Sequence, residues 1–293
     1  MAATHWTAEY RNKMIYAPVN KIIPFSNVDG PSNRTAIFFQ GCPFNCLFCH
    51  NPETINMCLN CGICVQNCPA QALSFDETGK VRWNKNNCEQ CDSCIKICPH
   101  GSSPKVTWMS VDDVMNEIRR TLPYIDGITT SGGECTLRND FLIELFTEVQ
   151  KLNKTCLIDS NGSFDFEADP RILSVCDGVM LDVKAYPEAW HRHLIGHDRE
   201  IVLKNLHYLL KVNKLHEVRT IIFPGRDEEN EAAIRFVSEV IRGRCFYKII
   251  RYRPFGVREK YLSELGEFTT EESYAMGYVK LAQSLGANKA YII

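Results

Sequence analysis

RTAIFFQGCPFNCLFCH, residues 34–50, is a short apolar run of strand formers followed by a glycine and three cysteines, Cys42, Cys46 and Cys49. The reading is a strand that delivers its last residues into a cysteine loop with the spacing C-x3-C-x2-C. A cubic iron-sulfur cluster has four irons, so three thiolates leave one iron for a ligand from outside the protein. An α-amino acid suits that position, because its amino nitrogen and carboxylate oxygen chelate together. A zinc or disulfide set is the rival reading for three cysteines alone.

The next cysteines downstream are not available as a fourth ligand. CLNCGICVQNCP, residues 58–69, recurs 30 positions later as CEQCDSCIKICP, residues 88–99. Each copy has the C-x2-C-x2-C-x3-C-P run of bacterial ferredoxins, in which the fourth cysteine ligates the other cluster. Cys58, Cys61, Cys64 and Cys98 are therefore expected to hold one cluster, and Cys88, Cys91, Cys94 and Cys68 the second. Paired zinc sites are the alternative, disfavoured by the Cys-Pro ending of both copies. With every iron bound by thiolate, these two clusters suit electron transfer. A unit of about 50 residues has little apolar core of its own, so iron should supply much of its folding energy.

Working outward, eleven of the fifteen cysteines fall between Cys42 and Cys98, a clustering that argues for metal rather than disulfides. Cys135, Cys156, Cys176 and Cys245 stand alone and read as small buried side chains. The net charge of −2, with both signs interspersed, gives no basic field for nucleic acid or an anionic membrane. The first 20 residues carry charges where a signal peptide needs an apolar stretch, and no later run is long enough to span a membrane, so a cytoplasmic protein is expected.

Beyond the repeat, strand and helix signals alternate. Strands are predicted at 127–130, 155–159, 178–183, 217–223 and 246–252, and helices at 141–152, 201–212, 229–241 and 271–285. A further helix over 110–121 has Ser110 as N-cap and Asp112 and Asp113 in its first turn. Alternation of this kind gives an α/β fold with a parallel sheet. The repeat reads as an insertion after the first strand, at residues 52–105, with the core formed by residues 15–51 and 106–293.

The three-cysteine loop resembles that of the radical SAM superfamily, in which S-adenosylmethionine (SAM) chelates the open iron. Phe48 matches the aromatic position before the third cysteine, and Gly132-Gly133-Glu134 is similar to the superfamily's glycine-glycine-glutamate segment. Two glycines let the backbone approach the cofactor, and Glu134 is expected to accept from its ammonium. VDGP at 28–31, running to Arg34, and CHNPET at 49–54 look like the signature of glycyl radical enzyme activating enzymes, particularly the YjjW-type branch with two extra ferredoxin-like clusters. The resemblance implies a partial (β/α)6 TIM-like barrel, three [4Fe-4S] clusters and SAM. It implies a glycyl radical enzyme as protein substrate and a flavodoxin or ferredoxin-type electron donor, with no nucleic acid or membrane partner.

Residue by residue, the resemblance implies that Asp182, Val183, Lys184 and Arg219 lie near the methionyl moiety, Lys184 or Arg219 neutralising its carboxylate. Asp159, Ser160 and Asp182 match positions where relatives hold a monovalent cation, Na+ or K+. His50 is expected to pack or to meet adenine through its backbone rather than bind iron. His191, His193 and His197 read as polar groups on a helix and its end. Two departures stand out. The family's Gly-Pro-Gly-x-Arg stretch is Gly30-Pro31-Ser32-Asn33-Arg34, which touches the loop that the resemblance puts near the protein substrate, and Tyr252 is followed by Arg253 where relatives often have histidine. Radical chemistry on a small molecule and a polyferredoxin-like electron carrier are the competing functions.

Overall fold

A computed structural model describes residues 14–293. In chain order the elements are β1 Tyr16–Ser26, β2 Arg34–Phe39, α1 Ile63–Gln66, β3 Leu73–Phe75, β4 Val81–Trp83, α2 Ser93–Lys96, β5 Thr107–Ser110, α3 Val111–Thr121, β6 Gly127–Gly132, α4 Asn139–Gln150, β7 Thr155–Ser160 and β8 Gly178–Asp182. They continue with α5 Glu188–Ile195, α6 Glu200–Lys211, β9 Leu215–Ile222, α7 Asp227–Ile241, β10 Phe246–Arg251, α8 Leu262–Leu265, α9 Glu272–Ser284 and β11 Ala290–Ile292. Nine strands form one sheet in the order β11-β10-β9-β8-β7-β6-β2-β1-β5. From β2 through β6 to β11 every neighbouring pair is parallel, and β1 runs antiparallel to both β2 and β5.

The predicted strands and helices all form, within a few residues of their expected ends. Ser110 caps α3 as the sequence indicates: its Oγ accepts from the Asp113 backbone N–H, and the Asp113 carboxylate accepts from the Ser110 N–H in return. Three strands escape the sequence pattern. β1 contains Pro18 and Pro24 and is interrupted by two register shifts, so its alternation is broken. β5 and β11 are four and three residues long and take their place only through their partners. The β7–β8 crossover has no α-helix, only a 3-10 turn at Pro170–Ser174 started by the Asp169 side chain.

The parallel strands carry runs of fully buried apolar residues, among them Ile37, Phe39, Ile128, Ile158, Val179, Leu181, Val218 and Ile249, as a sheet covered by helices requires. Cys135, Cys156, Cys176 and Cys245 are buried in this core. The segment from Pro52 to Lys105 has its own β3–β4 hairpin and a small apolar cluster of Cys64, Leu73 and Cys94. Gln40, buried at the end of β2, ties that segment to the sheet: its amide donates to the carbonyls of Glu53 and Asn56 and accepts from Asn20.

Arg34 starts β2 and is 2% exposed. Its guanidinium donates to Thr129 Oγ1 at 2.8 Å, Thr155 Oγ1 at 2.9 Å, and the carbonyls of Ile128 and Thr155 at 2.6 and 3.1 Å. One side chain thus crosslinks β2, β6 and β7. Thr129 in turn donates to the Asp29 carbonyl, so the DGP segment packs along the first half of β6 and β7. The contacts of that segment are with the sheet and not with the cysteine loop, which leaves the other end of β2. Ser32, standing where the family has glycine, sits at φ 62° and keeps the left-handed turn at a cost of about 1 kcal/mol. Replacing Arg34 by Met would leave several buried acceptors unmatched. We expect a loss of about 2–4 kcal/mol in anaerobic urea unfolding, which Arg34→Lys does not restore because one ammonium cannot span three strands.

Candidate active site

The cysteine loop is pinned on three sides. Gly41 and Cys42 donate backbone N–H bonds to Thr54 and Ile55, and Asn45 and Leu47 donate to Ile195 and Leu194 at the end of α5. From beyond β10, Arg258 donates to the Asn45 side chain at 2.8 Å and to the Cys46 carbonyl at 2.9 Å. His50 Nε2 meets the Arg253 carbonyl at 3.1 Å, which makes it a tether between loop and sheet end. Cys46 is buried, and Cys42 and Cys49 are partly exposed. Phe48 is buried edge-to-face on Phe223, with the Lys184 ammonium 5.7 Å from its ring centroid.

All fifteen cysteines are free thiols. Burial pushes Cys42 up to about 12, with the Glu134 carboxylate adding to the effect. Burial also pushes Cys46 up to about 12, against the pull of Lys184, and raises Cys49. Thiols this reluctant to ionise become thiolates when a cation binds them directly. A loop with three adjacent thiols, one buried and two partly exposed, no disulfide and a lysine at its back therefore fits an iron-sulfur cluster.

Gly132 and Gly133 end β6 beside this loop. A Cβ on Gly132 would lie 2.2 Å from the Phe39 nitrogen, and one on Gly133 would lie 2.2 Å from the Gly41 oxygen. The glycines are thus needed for the approach of backbone to backbone, where the sequence suggests approach to a cofactor. The space is closed by bonds from Gly133 N to Phe39 O and from Glu134 N to Gly41 O. Glu134 is buried and its carboxylate already has four donors: Thr136 N, Thr136 Oγ1, Ser160 Oγ and Asn161 N. Burial pushes its pKa up while these donors favour the carboxylate.

Charged residues gather at the ends of β7 and β8 and in the interior of β9, so Arg219 lies within its strand where the sequence reading places it at a strand end. Lys184 pairs with Asp182. Burial alone would lower the Lys184 pKa, but Asp182 and then Cys46 outweigh it and raise it above the ordinary value. Arg219 donates to Asp159 and to Glu217, each at 2.7 Å, and to the Met180 sulfur at 3.1 Å. Against the cost of burial, Asp159 and Asp182 hold its pKa up. Val183 is buried, its N–H donating to the Arg219 carbonyl and its own carbonyl accepting from Thr220. Thus Lys184 faces the cysteine loop, whereas Arg219 has all three nitrogens engaged with neighbours. Asp159 and Asp182 each hold a basic side chain, and Ser160 Oγ points to Glu134.

His191 and His193 lie on α5 and His197 just beyond it. They bond separately, His191 to the His197 carbonyl and His193 to Glu264, and do not converge on a common point. In the segment 52–105 the remaining cysteines line two cavities. One takes in Cys68, Cys88, Cys91 and Cys94 with Glu89 and Lys105, and the other takes in Cys58, Cys61, Cys64 and Cys98. These groupings exchange the fourth cysteine of each run.

Two residues near the loop escape the sequence argument. Asn161 donates from Nδ2 to the Cys42 sulfur at 3.3 Å; it lies in a stretch already marked as a strand end, and its polarity was the available signal. Arg258 reaches the loop from more than 200 positions away, and nothing local to it announces the contact.

Comparison with known proteins agrees with this geometry. A family model described as the Radical SAM superfamily matches residues 36–237. A protein of Haemophilus influenzae named for glycyl-radical enzyme activation is 29% identical over 89% of this chain and 93% of its own. The 4-hydroxyphenylacetate decarboxylase activating enzyme of Clostridium scatologenes is 26% identical over 85% of this chain and 89% of its own, and the indoleacetate decarboxylase activating enzyme of Tractidigestivibacter scatoligenes is 29% identical over 82% and 83%. Among solved structures, Streptococcus suis SuiB bound to S-adenosylmethionine superposes with a TM-score of 0.54 at 13% identity, over 87% of this chain and 48% of that one, a likeness of fold alone. With its α/β sheet, its three-cysteine loop and a family match over most of its length, the chain belongs to the radical SAM superfamily, whose members carry a [4Fe-4S] cluster and S-adenosylmethionine.

Proposed function

We propose that this chain is a glycyl radical enzyme activating enzyme with three [4Fe-4S] clusters. The observation that carries the proposal is the single set of three thiols, Cys42, Cys46 and Cys49, on the loop after β2 in a chain whose relatives bear activating-enzyme names. Cys42, Cys46 and Cys49 would hold a cluster with one open iron, and bound there it would supply the single electron for cleavage of SAM to methionine and a 5′-deoxyadenosyl radical. That radical would take a hydrogen atom from a backbone glycine of the partner enzyme to leave 5′-deoxyadenosine and a glycyl radical.

The protein's own residues bind, orient and exclude water. Lys184, at the back of the loop and over the Phe48 ring, is the partner for the cofactor's carboxylate. Asp182 keeps that ammonium charged and aimed, and Val183 fixes the backbone between them. Arg219 organises Asp159 at the next strand end, and His50 and Arg258 hold the loop against the end of β10. Gly132 and Gly133 offer the cofactor's ammonium the backbone edge of β6. A Na+ or K+ ion between Asp159, Ser160 and Asp182 has less support, since both carboxylates already hold a basic partner.

Residues 52–105 are the inserted ferredoxin-like domain of this proposal, joined to a core of residues 15–51 and 106–293 whose sheet is a partial (β/α)6 barrel. Its clusters, at Cys58, Cys61, Cys64 and Cys98 and at Cys68, Cys88, Cys91 and Cys94, relay electrons from a flavodoxin or ferredoxin-type donor. The duplicated run favours the YjjW-type branch. No helix among the described residues is long and apolar enough to cross a membrane, and the proposed site of action is the cytoplasm.

Anaerobic reconstitution should give about twelve irons per chain and reductive cleavage of SAM; a chain with a reduced open cluster that leaves SAM intact is no radical SAM enzyme. With a glycyl radical enzyme encoded beside it supplied as substrate, electron paramagnetic resonance should detect a glycyl radical, and a silent spectrum despite SAM cleavage overturns the activase reading. Cys46→Ala should abolish cleavage, whereas Cys91→Ala should bind SAM but turn over slowly with the protein electron donor. Lys184→Met should weaken SAM binding about 10-fold or more, read by equilibrium titration, through loss of a buried charge-assisted bond.

A further inference from the structure

Asn161 is 7% exposed and sits in the turn after β7, where Gly162 takes φ 79°. Its side-chain oxygen accepts from the Ser163 backbone N–H at 2.9 Å, which fixes the orientation of the amide. The nitrogen must then face the other way, and it donates to Cys42 Sγ at 3.3 Å. Its backbone N–H is held at 2.7 Å by Glu134, whose other oxygen takes the neighbouring Ser160 hydroxyl at 3.0 Å. Backbone and side chain are thus both locked, and the one free direction ends on a sulfur.

We propose that Asn161 is a positioning residue for the open cluster: its Nδ2–H bond to Cys42 holds that ligand's rotamer and raises the cluster's reduction potential, with Glu134 as the buried brace that aims it. The proposal rests on the reading that Cys42, Cys46 and Cys49 hold the cluster. A donor to a ligating sulfur draws negative charge away from it. The reduced cluster carries one more electron than the oxidised one and gains more from that bond, so the potential moves up. Glu134 opposes this, because its carboxylate lies close enough to Cys42 to disfavour negative charge there. The Phe44 backbone N–H and the Asn161 amide are the donors that offset that field at the sulfur, and the amide is the side-chain one. Its occupied oxygen and buried position give it no comparable role toward bulk water.

Asn161→Leu keeps the size of the side chain and removes the donor. In the reconstituted full-length chain, titrated potentiometrically and followed by electron paramagnetic resonance, the cluster whose signal responds to SAM should move to a more negative midpoint. The other two clusters should hold their midpoints, and iron content should stay at the wild-type level. An unmoved midpoint at unchanged iron content overturns the proposal. A wild-type chain whose signal ignores SAM overturns the cluster reading and this proposal with it. If the variant loads no open cluster, wild-type protein carrying asparagine labelled with ¹⁵N at the side-chain amide alone decides, since the Asn51 backbone N–H also meets Cys49: a ¹⁵N hyperfine coupling at the reduced open cluster supports the Asn161 bond, and its absence refutes it.

Discussion

Charge removed from water has to be compensated where it sits, and buried or half-buried charge gathers across β7 to β9 of this parallel sheet and in the turns after β6 and β8. Glu134, Asp159, Asp182, Lys184, Glu217 and Arg219 come from four adjacent strands and their following turns, and each has a partner within hydrogen-bond reach. The pairing is heterologous: Asp159 of β7 meets Arg219 of β9, and Glu134 beyond β6 meets Asn161 beyond β7. Asp182 with Lys184 and Glu217 with Arg219 pair within one strand and its turn, while the cross-strand pairs tie neighbouring strands together alongside the apolar core. Removing one member would strand another in a low-dielectric setting, which is costlier than the pair is stabilising. The site is therefore rigid before any cofactor arrives, as positioning chemistry requires.

That pairing also separates what the sequence makes legible from what it does not. Cysteine spacing is a local code, since thiolates wrapping one cluster must be near neighbours, and Cys42, Cys46 and Cys49 lie together as their spacing demands. Alternating strand and helix signals are likewise local. The partners of buried charges are only partly local: Asp182 stands two residues from Lys184, but only the fold reveals that Asp159 engages Arg219 from 60 positions away and that Lys184, not Arg219, faces the loop. The glycine pair illustrates a different ambiguity. Gly132-Gly133 signals that backbone must approach something closely, and the structure supplies Phe39 and Gly41 as that neighbour. Arg34 is the extreme case, an arginine in a family signature whose work is to crosslink three strands.

The segment between Pro52 and Lys105 obeys another balance. Its apolar cluster consists of Cys64, Leu73 and Cys94 with a few partly buried neighbours, far too little to offset the ordering of more than fifty residues. Its hydrogen bonds to the end of β2 and the loop that follows are few: the Gln40 amide on Glu53 and Asn56, and the Gly41 and Cys42 N–H groups on Thr54 and Ile55. A segment so constituted keeps its shape through ligands, and the proposed clusters lie where the missing core would be.

The duplication in that segment is symmetrical in ligand spacing and asymmetrical in charge. The cavity of Cys68, Cys88, Cys91 and Cys94 includes both Glu89 and Lys105, and the Lys105 ammonium is mostly buried and pairs with the more exposed Asp92. The cavity of Cys58, Cys61, Cys64 and Cys98 is lined otherwise by Leu59, Gly62, Ile63, two prolines, Ser102 and His100, with no lysine or arginine. A cubic cluster bound by four thiolates is anionic, and a desolvated ammonium on one wall stabilises its reduced form more than a neutral wall does. Two clusters with the same ligand spacing would therefore differ in potential. Lys105 lies outside both repeats and Glu89 within one, so the two proposed clusters would sit in different charge settings although their ligand spacing is the same.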